Sequence, residues 1–503
     1  MLLIYPPLAK PCEAPAGIAQ LAGVLKGNGL NCTLLDANLE GQLHLLGRQL
    51  AVDDTWTKRA CRGVNDNLHR MRSQEIYTNP ARYQRAVADI NRVLEQVGLA
   101  RQLDLSLANY LDPAASPLKS ADLLRCAKDF DQNIFYPWFS ERLTMIMKTT
   151  TPQMVGFSLN YLSQAPTTFA MIGFLKKIAP GLPIVAGGGL ITSWLRNPSW
   201  TNPFAGTIDH LVAGPGEAPL LELLGTENNG RHQTPDFQGL PLNDYLAPGF
   251  ILPYAASSGC YWNRCSFCPE KAEENPYHCL PADKVVDDLA TLCQKTRPAL
   301  IHFLDNAIAP ALMRQLVETP PAAPWYGFAR VSPLLTDPEF CRRLRRSGCL
   351  MLKLGIESGD QSVLDAMDKG IDLQMVAQTL SALEQAGITT YVYLLFGTPS
   401  EGLLQARKTL DFVVTHHSAI TFLNLAVFNM PVCSPEAHAL QTQDFYEGDL
   451  SLYSDFAHPQ GWGRKEIRTF LDKELKRHPA ISAILQRDPP IFTSNHAPFF
   501  CCE

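Results

Sequence analysis

Two parts of this chain alternate short apolar runs with helical repeats, and that alternation limits what it can fold into. In the first part, "LLIY" is followed by Pro15, by Ile18, Leu21 and Leu25 at helical spacing, and by Gly27 and Gly29 before "CTLLDAN". Strand, helix, strand in that order needs a crossover, so the strands lie parallel. The rhythm stops in 42–150, which is polar and mostly helical in character, with turn clusters such as "LDPAASP". It resumes at 153 with "MVGFSLNYLS", "FAMIGFLKKIAPG", "LPIVAGGG" and "HLVAGPGEAPLLELLG". Residues 1–225 are thus expected to form a doubly wound Rossmann-like domain with a helical insertion at 42–150. Ligands of such sheets sit at the C-terminal strand ends. Those ends carry Asp36 and Asn38, Ser158 and Asn160, and Gly187, Gly188 and Gly189.

Residues 226–250, rich in polar, Gly and Pro residues, are expected as a linker. A second alternating series occupies 251–440. A helix near 282–296 precedes "ALIHFL", and "WYGFA" precedes a helix capped by Thr336 or Asp337, with Pro338 in its first turn and Gly348 beyond its end. "LMLKLGI" is followed by a helix through Leu373, Val376, Leu380 and Leu383 that Gly387 closes, then by "TTYVYLLF" and "TFLNLAVF". Repeated units of this kind make a full or partial β/α barrel with its site at the strand C-termini. Residues 441–503 read as a small, mostly helical C-terminal region with a loose tail. The expected class is α/β throughout.

The bulk numbers exclude several functions. A net charge of −6 on 503 residues argues against general binding to phosphate backbones. No apolar run approaches the ~18 residues of a membrane span. The opening "MLLIYPPLAK" lacks a secretion-signal pattern, so the expected location is cytoplasmic. In a reducing compartment, fourteen cysteines point to metal or redox chemistry rather than disulfides. Cys293, Cys341 and Cys349 fall in helix and strand patterns and are expected as inert core thiols.

"SSGCYWNRCSFCPEKA" gathers Cys260, Cys265 and Cys268 on one loop. A zinc site closes with four ligands, and His278 and Cys279 are the nearest candidates to complete one. An iron–sulfur cluster normally takes four cysteines, so three leave one iron open for an exogenous ligand.

With these cysteines the chain resembles the radical S-adenosylmethionine (radical SAM) superfamily. The resemblance implies a [4Fe-4S] cluster on Cys260, Cys265 and Cys268, with S-adenosylmethionine chelated at the open iron. Arg264 and Phe267 fit the family pattern, whereas the spacing C-x4-C-x2-C exceeds the usual C-x3-C-x2-C by one residue, in effect Trp262 or Asn263. Downstream, "HFLDNAIAP" places Asp305 and Asn306 near the cluster, and "GFARVSP" places Arg330 against S-adenosylmethionine. "KLGIESGD" places Glu357 on the ribose hydroxyls, with Gly355 and Gly359 for close approach, and "LLFGTPSEG" supplies Gly397 and Pro399. Each residue also has a structural reading, Glu357 as a helix-terminal carboxylate and Arg330 as a surface charge.

The front domain resembles the cobalamin-binding Rossmann-like domain of one large radical SAM class. The likeness rests on "GFSLNYLSQA", "IVAGGGLITSW" and "VAGPGEAPLLELL". It implies a corrinoid lying across Ser158, Leu159, Asn160, Gly187, Gly188, Gly189, Gly216 and Glu217. Where a histidine-ligating domain shows D-x-H-x-x-G, this chain has Asp36, Asn38 and Gly41, and asparagine offers cobalt no imidazole. The implied function is a cobalamin-dependent radical SAM methyltransferase acting on an unactivated carbon or phosphorus of a small molecule or peptide. Its electrons would come from a flavodoxin- or ferredoxin-type donor, and no nucleic acid or membrane partner is expected. A radical cyclase or rearrangement enzyme without methyl transfer is the alternative, and a zinc or redox-cluster regulatory protein the alternative of another class. Cys433, Cys501 and Cys502 are further candidates for the catalytic machinery.

Overall fold

The computed structural model describes residues 1–227, 230–438, 440–490 and 496–501. The chain divides into two compact units: Met1–Ile251 with Tyr446–Leu452, and Leu252–Phe445 with Tyr453–Glu503.

The first unit holds a parallel sheet of β1 (Leu2–Tyr5), β2 (Thr33–Asp36), β3 (Val155–Ser158), β4 (Ile184–Gly187) and β5 (His210–Leu211). Its spatial order is β2-β1-β3-β4-β5, so the winding reverses between β1 and β3. In doubly wound sheets that reversal opens the ligand crevice. Helix α1 (Ala16–Gly27) turns Ile18, Ala19, Ala22 and Leu25 inward, and Pro15 stands at its N-cap. The insertion contains the expected helices, the longest being Thr55–Met71 and Pro80–Leu99. It also contains a short antiparallel pair, Asp104–Leu105 with Tyr110–Leu111, whose strands are too brief to leave a period.

Two boundaries differ from expectation. Residues 230–250, within the segment expected as a linker, lie along the first unit. Asp236 N–H donates to Ala19 O at 2.9 Å, and Lys26 pairs with Asp236 at 2.8 Å. A Cβ on Gly23 would stand 2.2 Å from the Thr234 carbonyl oxygen. Residues 446–452 join the first unit through Ser120 N–H donating to Asp449 at 2.8 Å and Lys119 pairing with Glu447 at 2.9 Å.

The second unit is built on six strands that neighbour one another in chain order: β6 (Ile251–Tyr254), β7 (Leu300–Phe303), β8 (Trp325–Ala329), β9 (Cys349–Glu357), β10 (Thr389–Phe396) and β11 (Phe422–Val427). Pairings from β7 to β11 are parallel, and helices such as Ala282–Thr296, Pro338–Arg346 and Leu373–Ala386 fill the crossovers. Asp337 caps the second of these helices through Glu339 N–H, and Gly387, at φ 69°, ends the third. The sheet stays open, a partial barrel. The region expected as mostly helical instead begins with a small antiparallel sheet of Met430–Pro431, Thr442–Asp444 and Tyr453–Phe456 before its helices. Segments as polar as "TQD" carry no apolar alternation to betray a strand.

Candidate functional site

The cysteine loop leaves β6 at the C-terminal end of the barrel strands. Ser257–Ser258 pairs with His278–Cys279, which holds both alternative zinc ligands exposed on a hairpin. Among the described residues no three His, Cys, Asp or Glu side chains converge on a single ion, the three loop cysteines included. Cys265 is buried, and Cys260 and Cys268 are half-buried. Burial pushes the Cys265 thiol up and the Cys268 thiol to about 11. A metal on these sulfurs therefore releases protons as it binds. Arg330 and Lys369 beside Cys265 favour its thiolate.

Several residues assigned by resemblance have partners within the protein. Asp305 is buried, accepting from Ala256 N–H at 3.1 Å and from the Ser257 hydroxyl. Exposed Asn306 donates to Gly259 O at 3.1 Å. Gly397 sits at φ 89° with its N–H donating to Glu401, and a Cβ there would meet Ile467 at 2.4 Å, so a C-terminal helix covers it. Gly359 serves packing, since its Cβ would lie 2.6 Å from Phe412 Cβ.

Arg330 and Glu357 do converge on the loop. Arg330 follows β8, is half-buried, donates to Lys369 O and is drawn toward the Cys265 sulfur. Glu357 ends β9 at a register shift, with φ 68°, and pairs with Lys369 at 2.8 Å, both side chains largely buried. Gly355 makes room for that pair, because a Cβ would stand 2.4 Å from Glu357 Oε1 and 3.1 Å from Lys369 Nζ. Half-buried Phe267 lies under Lys369, whose Nζ is 5.4 Å from the ring centroid. The sequence reading missed Lys369, since "MDKGID" resembles any polar turn.

Cys433 lies in the second unit, with Glu273 near enough to help burial raise its thiol. Cys501 follows a short helix whose Phe500 packs 5.9 Å from Phe422, the first residue of β11. That is the opposite end of the strands from the cysteine loop, so the structure removes Cys501 from the candidate site. Cys502 lies outside the described residues.

The first unit has its own site. A cavity of about 230 Å³ opens over the β1–β3 reversal, between the sheet, α1 and the helix Glu217–Leu223. Leu3, Gly156 and Val185, side by side in register, form its floor, with Gly17 and Leu21 opposite. Its polar lining is Gln20, Ser158, Asn160 and Glu217, and Gly187, Gly188, Gly214 and Gly216 also line it. Asn160 Nδ2 donates to Ser158 Oγ at 3.1 Å. A Cβ on Gly156 would come within 2.8 Å of Leu3 and Met1 side-chain carbons, so the floor stays open only with glycine there.

The remaining predicted residues do not face this cavity. Leu159 is fully buried, and Gly189 opens a helix with its N–H on Asn160 Oδ1 at 2.9 Å. Asp36 caps its helix through Leu39 N–H and accepts from Tyr245 Oη at 2.7 Å. Its burial pushes the carboxyl to about 6. Asn38 Oδ1 is taken by Ala9 N–H at 2.7 Å and Gln42 Nε2 at 2.8 Å. Gly17 and Gly156 are among the lining residues that the sequence reading missed. Their only signal is a small residue where the pattern calls for an apolar one.

Comparison with known proteins bears on both units. Residues 254–413 match the model of the radical SAM superfamily. An uncharacterized methyltransferase of Pyrococcus horikoshii is 21% identical, over 54% of this chain and 66% of that one. The anaerobic magnesium-protoporphyrin IX monomethyl ester cyclase of Rubrivivax gelatinosus is 24% identical, over 38% and 35%. The chain thus spans about two thirds or less of these relatives' length. A solved structure shares the fold at TM-score 0.51 and 17% identity, covering 85% of this chain and 75% of that one. It is the radical S-adenosylmethionine methyltransferase TsrM of Kitasatospora setae with cobalamin and a [4Fe-4S] cluster bound. The cysteine loop stands at the barrel's strand ends, and the match to the radical SAM superfamily lies wholly inside the second unit, which is the part of the chain similar to that superfamily.

Proposed function

We propose that this chain is a cobalamin-dependent radical SAM methyltransferase acting on an unactivated carbon or phosphorus centre of a small molecule or peptide. The observation that carries the reading is the open, glycine-floored cavity at the β1–β3 reversal, in the same chain as the three-cysteine loop. The donor set fits the cluster in its chemistry: three thiols on one loop, and two cations beside the most buried sulfur. The cavity fits the buried tail of a corrinoid, with an apolar floor and a hydroxyl and an amide at its mouth.

Cys260, Cys265 and Cys268 would hold the cluster, which when bound would supply an electron to S-adenosylmethionine, and the cavity lining would hold cobalamin, which would supply a methyl carrier. The chain's own residues bind and orient. Glu357 gives Oε1 to Lys369, which leaves Oε2 for a hydroxyl donor such as a ribose. Arg330 brings a fixed positive charge to the cysteine loop. Gly187, Gly188, Gly214 and Gly216 let a flat ligand approach backbone at the cavity mouth. Asn38, with its oxygen engaged twice, is held away from any role as a cobalt ligand.

A low-potential flavodoxin- or ferredoxin-type donor and a cytoplasmic location complete the proposal. Among the described residues no helix is long and apolar enough to cross a membrane. The match to a cyclase favours one second reading, radical rearrangement without methyl transfer. Anaerobic purification with iron, sulfide and hydroxocobalamin, then iron and cobalt assays, tests the cofactors. About four irons and one cobalt per chain support methyl transfer. Iron without cobalt favours rearrangement, and zinc in place of iron overturns both. With substrate, S-adenosylhomocysteine plus 5′-deoxyadenosine marks methylation, and 5′-deoxyadenosine alone marks rearrangement.

A further inference from the structure

We infer that Trp262, on the one-residue expansion of the cysteine loop, is a positioning residue that clamps Arg330 and the 367–370 turn against the loop and so presets the S-adenosylmethionine site. The inference rests on the radical SAM reading for its ligand, while the clamp itself rests on contacts within the second unit.

The indole carries Arg330 Cζ 3.9 Å from its ring centroid and Arg264 Cζ at 5.0 Å. Its Nε1 donates to Asp368 O at 3.1 Å. Gly370, at φ 62°, is a cradle for the ring: a Cβ there would stand 2.1 Å from Trp262 Cζ2 and 2.5 Å from Cη2. Asn263, the next residue, takes φ 45°, an uncommon conformation for a residue with a side chain. The extra residue is thus absorbed in a left-handed turn beside the indole. The same turn is tied to the loop elsewhere, by Ser266 N–H donating to Met367 O at 3.0 Å and by Arg330 donating to Lys369 O. Lys369 in turn holds Glu357 at 2.8 Å. One aromatic ring therefore touches Arg330 and the turn that carries Glu357's partner. A tryptophan with no task in a surface loop needs neither a glycine cradle nor a guanidinium stacked on it.

Three variants of the full chain test this: Trp262→Ala, Trp262→Phe and Gly370→Ala, the last pushing the ring off its seat. In the iron-free protein, alkylation of buried Cys265 followed by mass spectrometry should quicken several-fold in Trp262→Ala and Gly370→Ala. Exposed Cys279 is the internal control and should keep its rate. In anaerobically reconstituted protein, titration with S-adenosylmethionine followed by the cluster's electron paramagnetic resonance should show about tenfold weaker binding in those two variants, the scale of a desolvated cation–π contact. Trp262→Phe, which keeps a ring over Arg330, should lose about threefold or less. An unchanged Cys265 rate in both Trp262→Ala and Gly370→Ala overturns the clamp whatever the cofactor. So does equal S-adenosylmethionine affinity across wild type and all variants. A wild type that loads iron but binds no S-adenosylmethionine overturns the radical SAM reading instead, and the alkylation rates still decide the clamp. If Trp262→Ala loads too little iron, the comparison of Trp262→Phe with Gly370→Ala decides, and equal behaviour of the two overturns it.

Discussion

Filling the cavity of the first unit separates a binding site from a packing defect. Gly17, in the first turn of α1, lines it, and an added Cβ would meet only Ser158 Oγ, at an ordinary 3.5 Å. Gly17→Leu therefore sends four carbons into about 230 Å³ of open space without moving backbone. Replacing a helical glycine gains about 0.5–1 kcal/mol. Burying the leucine side chain gains roughly 1.5–3 kcal/mol and ordering it costs about 0.5–1 kcal/mol. The cofactor-free protein should thus be about 1–3 kcal/mol more stable, read as a higher urea midpoint for the first transition. Cobalt after anaerobic reconstitution with hydroxocobalamin should fall below about a tenth of wild type, a loss of roughly 1.4 kcal/mol or more in binding. Iron should not change, because the cysteine loop lies in the other unit. A Gly17→Leu protein that keeps full cobalt refutes the assignment of this cavity, however stable it is.

Other substitutions address the remaining residues. Cys265→Ala should abolish the 4-iron optical spectrum while leaving cobalt bound, read by metal assay. Lys369→Met strands the buried Glu357 carboxylate and should cost roughly 3–5 kcal/mol in the iron-free chain, and Glu357→Gln in the same protein should recover most of it. Burial raises Glu401 to about 7, although Gly397 N–H and Trp462 Nε1 both donate to Oε2. A raised carboxyl stabilises fully at acid pH and loses that contribution as pH rises to about 7, roughly 3 kcal/mol in all. Urea melts at pH 5 and pH 8 should show this loss, and Glu401→Gln should remove it. Asn38→His, which rebuilds the histidine motif, should give no nitrogen splitting in the cobalt(II) resonance, because position 38 is buried among Ala9 and Gln42. It should instead destabilise by about 1–3 kcal/mol through the stranded Ala9 N–H.

The strands and helices were legible because their apolar residues repeat at the period of their own element. The caps at Asp337 and Gly387 stood where composition put them. The site was legible where one short segment holds its chemistry, as in Cys260 to Cys268. It was not legible where partners lie far apart in the chain. Tyr245 reaches Asp36 from 209 residues away and turns a motif residue into a buried cap. Arg330 reaches the loop's Trp262, and Lys369 meets Glu357, through a fold that no local pattern states. Gly397 and Gly359 read as ligand glycines because a sequence shows the missing side chain but not the helix that fills its place.

The assigned residues around the cysteine loop have partners within the protein. Asp305 and Asn306 spend their polar atoms on Ala256, Ser257 and Gly259, the backbone from which the cysteines hang. Rigidity at that root is what three sulfurs need to share one inorganic core. Around them Arg330 and Lys369 outnumber Glu357, an excess of positive charge in a half-buried site. Left alone, that excess is a desolvation cost. On the proposed reading three thiolates would reverse it, since together they outweigh the positive charge of a resting cubane core. Glu357 then has a separate task. Held by Lys369 through Oε1, it has a fixed direction, and on the proposed reading Oε2 would be the acceptor that a hydroxyl finds without reorganising the site. A neutral or freely rotating side chain there would have to be ordered by the ligand itself, and binding would weaken by that ordering cost.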